Sequence, residues 1–140
     1  MYRILLPVDI EESRALAQAD YVAELPGAAD AVEVFILFVF DESDDDIPDE
    51  YKRFNTATRI GAVRRASERL EEAGVEMHVL DESGDAATRI LEEAEEREVD
   101  SIVIGGRKRS AVGKAIFGSV TMDVIRDTSL PVTVTGKRAE

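Results

Sequence analysis

Four glycines and four basic side chains share one short stretch of the sequence, residues 105–119. The glycines are Gly105, Gly106, Gly113 and Gly118, and the bases are Arg107, Lys108, Arg109 and Lys114. No acid occurs from residue 101 to residue 122, although the whole chain carries 30 acids against 17 bases. Glycines let backbone N–H groups approach an oxyanion closely, and cationic side chains supply counter-charge. The stretch therefore predicts a phosphate-like anion as ligand; the alternative is a basic loop that pairs with the protein's own acids.

The end of this stretch coincides with the predicted start of a helix. Apolar residues have helical spacing over residues 119–127, and Ser119 is predicted to cap the first turn. Free N–H groups and the helix dipole favour negative charge at such a start. Gly105, Gly118 and Ser119 are therefore candidate anion-binding residues, and charge and position add Arg107, Lys108 and Lys114.

Other phosphate-related folds fit the sequence poorly. A Walker loop would need glycine and a hydroxyl residue where the chain has Lys108 and Ala115. A dinucleotide fingerprint should follow the first strand, but the five residues after that strand include no glycine. Asp9, Asp81 and Lys137 crudely mimic a phospho-acceptor receiver domain. That fold has no use for a long glycine-rich loop after its fourth strand, so it is disfavoured.

The segments around the loop alternate between strand and helix patterns. Apolar runs predict strands at residues 3–8, 32–40, 75–80, 101–104 and 130–135, and helical spacing predicts helices at residues 14–25, 57–73, 86–98 and 119–127. Repeated strand–helix–strand units predict a parallel sheet in one α/β domain over residues 1–140. The segment from Leu130 to Thr135 has the alternating pattern of an edge strand.

Composition limits the classes of function. A net charge of −13 repels nucleic acid and anionic membrane surfaces, and no apolar run is long enough to span a membrane. The absence of cysteine excludes disulfides and thiol chemistry, and a cytoplasmic protein is the simplest interpretation. The acid excess, with seven acids in residues 41–50, predicts a protein adapted to concentrated salt; an ordinary acidic cytosolic protein is the alternative. His78, the only histidine, is predicted to be structural.

The glycine-rich stretch resembles the ATP-binding motif of universal stress proteins, Gly-x2-Gly-x9-Gly-[Ser/Thr]. Gly105 matches the first glycine, and Gly118 and Ser119 match the closing pair, whereas Lys108 replaces the second glycine. Residues 6–9, 100–105 and 130–132 also resemble the first, fourth and last strands of that family. The resemblance thus covers nearly the whole chain, and it is closest to the acidic, high-salt type of the family.

The resemblance implies a three-layer α/β/α fold of the adenine nucleotide alpha hydrolase-like class, with a five-stranded parallel sheet in the order 3-2-1-4-5. It implies ATP as the ligand, with Mg²⁺ as a companion ion, in the crevice between strands one and four. Asp9 would face the adenosine part, and Val39 would lie beside the adenine through its backbone. Gly105, Gly118 and Ser119 would hold the phosphates.

Two functions follow from the resemblance. The first is an ATP-binding regulatory module of the stress response, and the second is a family member that has lost nucleotide binding and acts through protein contacts. Lys108 keeps both open, because its side chain either blocks the phosphates or neutralises them. The sequence shows no general base other than Asp9 that would lie near the nucleotide, so at most slow ATP hydrolysis is expected. The family's dimers imply a homodimer through the last strand, with Val132 or Val134 facing a second copy.

Overall fold

Five parallel strands form one sheet in the order β3-β2-β1-β4-β5. The computed structural model describes residues 1–41, 56–106 and 117–136. The strands are β1 (Tyr2–Pro7), β2 (Val32–Phe40), β3 (Glu76–Ser83), β4 (Ser101–Gly105) and β5 (Val132–Thr135). The predicted fold class and strand order are confirmed. Because the order reverses between β1 and β4, a crevice opens at the carboxyl ends of these two strands.

The described residues form five helices and one 3₁₀ turn around the sheet. The helices are α1 (Glu12–Ala23), α2 (Ala28–Ala31), α3 (Gly61–Glu72), α4 (Ala86–Glu96) and α5 (Ser119–Asp127), and the 3₁₀ turn is Ala57–Arg59. The short α2 was not predicted; it follows Gly27, whose φ of 71° suits glycine. The helix predicted over residues 57–73 is divided at Ile60, whose ψ of 125° is extended.

Both faces of the sheet are covered, which explains the nearly continuous apolar character of β1 and β2. One core cluster lies between the sheet and helices α1 and α3, and a second lies between the sheet and helices α4 and α5. Alternate residues of β2 enter the two clusters, Val34, Ile36 and Phe38 the first and Phe35, Leu37 and Val39 the second. Each central strand therefore anchors a helical layer on either side.

The two edge strands differ from their predicted bounds. β3 continues three residues past Leu80, because its pairing with β2 continues as far as Phe40 opposite Ser83. Asp81 thus lies within β3 rather than at its end, and its carboxylate accepts a hydrogen bond from Ala57 N at 3.1 Å. β5 begins only after Pro131. In the part of the chain that the structure describes, no helix has the length and apolar character needed to cross a membrane.

Candidate functional site

A cavity of about 470 Å³ lies where the strand order reverses. The ends of β1, β2 and β4 and the starts of α4 and α5 line it, and its volume is typical of small-molecule sites. Five of the residues predicted from the sequence surround it: Asp9, Val39, Gly105, Gly118 and Ser119. The other three, Arg107, Lys108 and Lys114, lie outside the described residues. That these residues bind a ligand stays a prediction.

Asp9 stands at the rim of the cavity with a half-exposed carboxylate. Its Oδ1 accepts a hydrogen bond from Glu11 N at 2.9 Å, and its Oδ2 accepts one from Arg14 Nε at 3.0 Å. The first bond shapes the turn that leads into α1, and the second holds the Arg14 guanidinium beside the cavity. Asp9 therefore presents a paired carboxylate, not an isolated negative charge.

Val39 is the penultimate residue of β2, not its last, and its backbone faces the crevice. Leu37 O accepts from Val8 N on the β1 side, and Phe40 O accepts from Gly84 N on the β3 side. Backbone groups of successive residues in a parallel strand point to opposite neighbours, so Val39 N–H and C=O point toward β1. Since β1 pairs with β2 only as far as Leu37, these two groups have no strand opposite them.

The start of α5 carries backbone donors without helical partners. Gly118, with φ −72° and ψ 167°, is the capping residue, and no side chain caps this end. The prediction that Ser119 caps the helix was wrong, because Ser119 is already its first helical residue. The first intrahelical bond runs from Met122 N to Gly118 O at 3.1 Å. The N–H groups of Ser119, Val120 and Thr121 therefore have no helical partner, and no described residue accepts from them beside the cavity.

Close packing, not an unusual φ, requires the glycines that end β4. Neither Gly105 nor Gly106 has a left-handed φ. A Cβ on Gly105 would lie 3.1 Å from Gln18 Oε1, and one on Gly106 would lie 3.0 Å from Val134 Cγ1. Thr121 Oγ1 donates to Gly105 O at 3.3 Å. The tight contacts bring β4, α1, β5 and α5 together at the edge of the cavity.

Carboxylates dominate the described walls of the cavity. The lining includes Asp9, Asp41, Asp85 and Asp123, and Arg14 is the only lysine or arginine among the described lining residues. Asp85 caps α4 by accepting from Thr88 N at 3.0 Å, and hydrogen bonds from the Thr88 hydroxyl and N–H lower the pKa of Asp85. A phosphate ligand would therefore need both the free N–H groups of α5 and further cationic charge.

Two lining side chains, Arg14 and Gln18, were not identified from the sequence. They lie four residues apart on α1 and so share the face that borders the cavity. Ala15 and Ala19, which follow them, are completely buried. The available signal was the position of two polar residues next to the apolar face of the predicted helix. A polar residue on such a face either bonds within the core or reaches a cavity.

The only histidine lies at the other end of the sheet. His78 Nε2 lies 2.9 Å from Glu33 Oε2 and 3.6 Å from Glu76 Oε2, and the ring stacks on Phe35 with centroids 5.2 Å apart. The hydrogen bond from His78 lowers the pKa of Glu33. These three polar side chains place potential metal ligands within 4.8 Å of one another. The ion pair with Glu33 and the stacking on Phe35 join β3 to β2. This arrangement is consistent with a structural histidine.

Comparisons with known proteins agree on one family. A family model described as the universal stress protein family matches residues 1–136. A universal stress protein of Methanocaldococcus jannaschii is 33% identical over 54% of this chain and 45% of its own length. Universal stress protein YxiE of Bacillus subtilis is 29% identical over 71% of this chain and 64% of its own length. The matched segments thus span less than two thirds of these two relatives.

Solved structures show the same fold. A universal stress protein from Archaeoglobus fulgidus superposes with a TM-score of 0.75 at 28% identity, covering 96% of this chain and 98% of that one. Three further structures of the family contain adenine nucleotides: one with cAMP, one from Archaeoglobus fulgidus with dAMP and one from Arabidopsis thaliana with AMP. These three are 16–22% identical to this chain, so they establish likeness of fold.

Proposed function

The chain belongs to the universal stress protein family, and on this premise we propose that it is a regulatory module of the stress response that binds ATP in the crevice between β1 and β4. The single observation that carries the proposal is the cavity of about 470 Å³, bordered on one side by the N–H groups that begin α5 and on another by the Val39 backbone, which has no β1 residue paired opposite it. Adenine nucleotides bound to relatives of the same fold support the choice of ligand.

The adenine would lie against the end of β2. The Val39 N–H is a donor and its C=O an acceptor, and the Watson–Crick edge of adenine offers the complementary acceptor and amino donor. Guanine carries the reverse arrangement, with an N–H and a carbonyl oxygen. Backbone recognition at Val39 therefore favours ATP over GTP. Ile90 and Ile104, both buried, also line the cavity, so apolar surface is available to the ring faces.

The phosphates would lie at the start of α5. Gly118 and Ser119 present backbone donors there, and the Ser119 hydroxyl is a further donor. The acidic walls need additional positive charge, and Arg107, Lys108 and Lys114, in the stretch between Gly105 and Ser119, would supply it. Mg²⁺ bound with the nucleotide would reduce the repulsion further. Asp9, paired with Arg14 at the rim, would then face the sugar rather than the phosphates.

We infer binding rather than efficient turnover, in a cytoplasmic protein. The alternative is a member of the family that acts through protein contacts without a nucleotide. Purified protein separates the two, because a bound purine adds strong ultraviolet absorbance to a chain with no tryptophan and three tyrosines. Release of an adenine nucleotide on denaturation supports the proposal. Protein that carries none, and that gives no heat on titration with ATP, leaves the alternative.

We further propose that the protein is a homodimer through β5. This strand forms one edge of the sheet, and an open edge has unpaired backbone groups. The side chains of Val132 and Val134 are half-buried against the chain's own second core cluster, so they serve the fold as well as any interface. Met122 and Ile125 on the neighbouring α5 are 48% and 38% exposed and add apolar surface. Light scattering in high salt tests the homodimer. The wild-type protein should be a dimer, and Met122→Lys should shift the population toward monomer. A monomeric wild-type protein at micromolar concentration refutes the proposal.

A further inference from the structure

Gln18 is a buried amide that bridges the two strands on either side of the crevice. Its side chain extends from α1, and the residue is 1% exposed. Nε2 donates to Pro7 O at 2.7 Å and to Val103 O at 3.1 Å. Because both partners are carbonyl oxygens, the chemistry fixes which end of the amide is the nitrogen. The amide is therefore held in one orientation by the last residue of β1 and the middle residue of β4.

The other end of the amide is unpaired. No described residue donates a hydrogen bond to Gln18 Oε1, although Gln18 lines the cavity. The oxygen lies 3.1 Å from the position that a Cβ on Gly105 would take, so the glycine leaves space above it. Oε1 is accessible from the cavity rather than fully enclosed, and an acceptor in that position pairs with whatever occupies the cavity, solvent or ligand. The occupant of the cavity should therefore present an O–H or N–H to Oε1.

Position in the crevice indicates which part of a nucleotide would supply that donor. Val39, proposed to contact adenine, lies on β2 to one side of β1, and the start of α5, proposed for the phosphates, lies beyond β4 on the other. Gln18 lies between them, bonded to both β1 and β4. The sugar joins the base to the phosphates, so a sugar hydroxyl is the donor that comes to this place.

We propose that Gln18 is a specificity residue whose Oε1 accepts a hydrogen bond from a hydroxyl of the nucleotide sugar. The inference rests on the proposed function, since it concerns the same cavity. An ionised phosphate has no proton to donate, and its oxygens would face the lone pairs of Oε1. Gln18 thereby favours a nucleoside-bearing ligand over an inorganic polyphosphate. A ligand without the hydroxyl leaves Oε1 unpaired, which is the arrangement that discriminates most strongly between similar ligands.

Calorimetric titration of ATP, 2′-deoxy-ATP, 3′-deoxy-ATP and inorganic tripolyphosphate into the whole chain tests this. In wild type one deoxy nucleotide should bind roughly 3- to 10-fold more weakly than ATP, and tripolyphosphate should bind more weakly still. In Gln18→Met, which keeps the length of the side chain but removes the acceptor, ATP and the deoxy nucleotides should bind equally. Tyr21→Phe, which removes an exposed hydroxyl from the same helix, is the matched control and should behave as wild type.

Gln18→Met also loses two bonds to backbone carbonyls, so a second variant is needed in case it does not fold. Gly105→Ala retains the Gln18 amide, but its Cβ would lie 3.1 Å from Oε1, so the amide must shift slightly and Oε1 is covered. This variant should likewise abolish the difference between ATP and the deoxy nucleotides. Equal affinity of wild type for ATP and both deoxy nucleotides overturns the role of Gln18 but leaves ATP binding intact. Absence of binding by every probe overturns the proposed function and this inference with it.

Discussion

Replacing Ser119 by aspartate should change stability and anion binding in opposite directions. Ser119 is the first residue of α5, and no side chain caps this end of the helix. A carboxylate in the first turn interacts favourably with the helix dipole, which is worth roughly 0.3 to 1 kcal/mol at an exposed site. Ser119 is exposed, so Ser119→Asp should raise the free energy of unfolding by about that amount.

The same carboxylate should repel a phosphate bound at the free N–H groups. At a separation of roughly 6 to 8 Å and an effective dielectric constant of about 20, two unit charges interact by about 2 to 3 kcal/mol. That energy corresponds to a loss of affinity of roughly 30- to 140-fold. Ser119→Ala, by comparison, removes only one hydroxyl donor and should weaken ATP binding by about 1 kcal/mol, or roughly fivefold.

Thermal melts and calorimetric titration with ATP measure the two effects on the same preparations. Ser119→Asn is the matched control, because it has the size of aspartate without the charge. The aspartate variant should melt above the asparagine variant and bind ATP far more weakly. Equal ATP affinity of the two variants would refute the placement of the phosphates at α5, and a lower melting temperature for aspartate would refute the uncapped helix start.

Three further predictions concern the fold. Gly106→Ala should lower the free energy of unfolding by about 1 to 3 kcal/mol, because the new Cβ would lie 3.0 Å from Val134 Cγ1. An unchanged midpoint in urea unfolding would contradict this close packing of Gly106 against β5. The pKa of Glu33 is lowered in the folded state, so its ionised carboxylate stabilises the fold. This contribution to the free energy of unfolding is complete above the ordinary pKa of 4.5 and is lost as the pH falls through the lowered pKa. The stability advantage of wild type over Glu33→Gln should therefore shrink in acid melts, and a constant difference would argue against the pair with His78. The melting temperature should rise with KCl to molar concentrations, since salt screens a net charge of −13, and a flat or falling midpoint would count against adaptation to high salt.

Much of the fold could be predicted because apolar runs and helical spacing report burial directly. β2 and α5 begin and end at the predicted residues. β2 has a core cluster on either side, and α5 has the periodic apolar face of a helix that packs on one of them. Prediction from local sequence pattern was wrong where tertiary contacts determine the backbone conformation. β3 extends beyond its apolar residues because pairing with β2 continues to Phe40. The break at Ile60 is followed directly by Gly61, a poor residue for a helix interior, which apolar periodicity alone did not take into account.

The candidate site was predicted unevenly for a physical reason. Gly105 and Gly118 could be found because they stand at a recognisable spacing in the sequence, at the end of one predicted strand and the start of one predicted helix. Gln18 reaches the site through a contact to a residue that is distant in sequence, its bond to Val103, and Arg14 is placed there by its pairing with Asp9 in the turn after β1. No local pattern encodes such a contact. The free backbone of Val39 likewise depends on where the neighbouring strand ends, which is a property of the sheet.

Calorimetric titration of wild type with ATP and with GTP, in the presence of Mg²⁺, tests the central claim most directly. The backbone donor and acceptor at Val39 match adenine, and the α5 start matches the phosphates common to both nucleotides. ATP should therefore bind saturably, with GTP binding at least about tenfold more weakly, as expected when buried hydrogen-bonding groups are left unmatched. Absence of any heat with ATP, or equal affinity for the two nucleotides, would contradict recognition of an adenine nucleotide in this crevice.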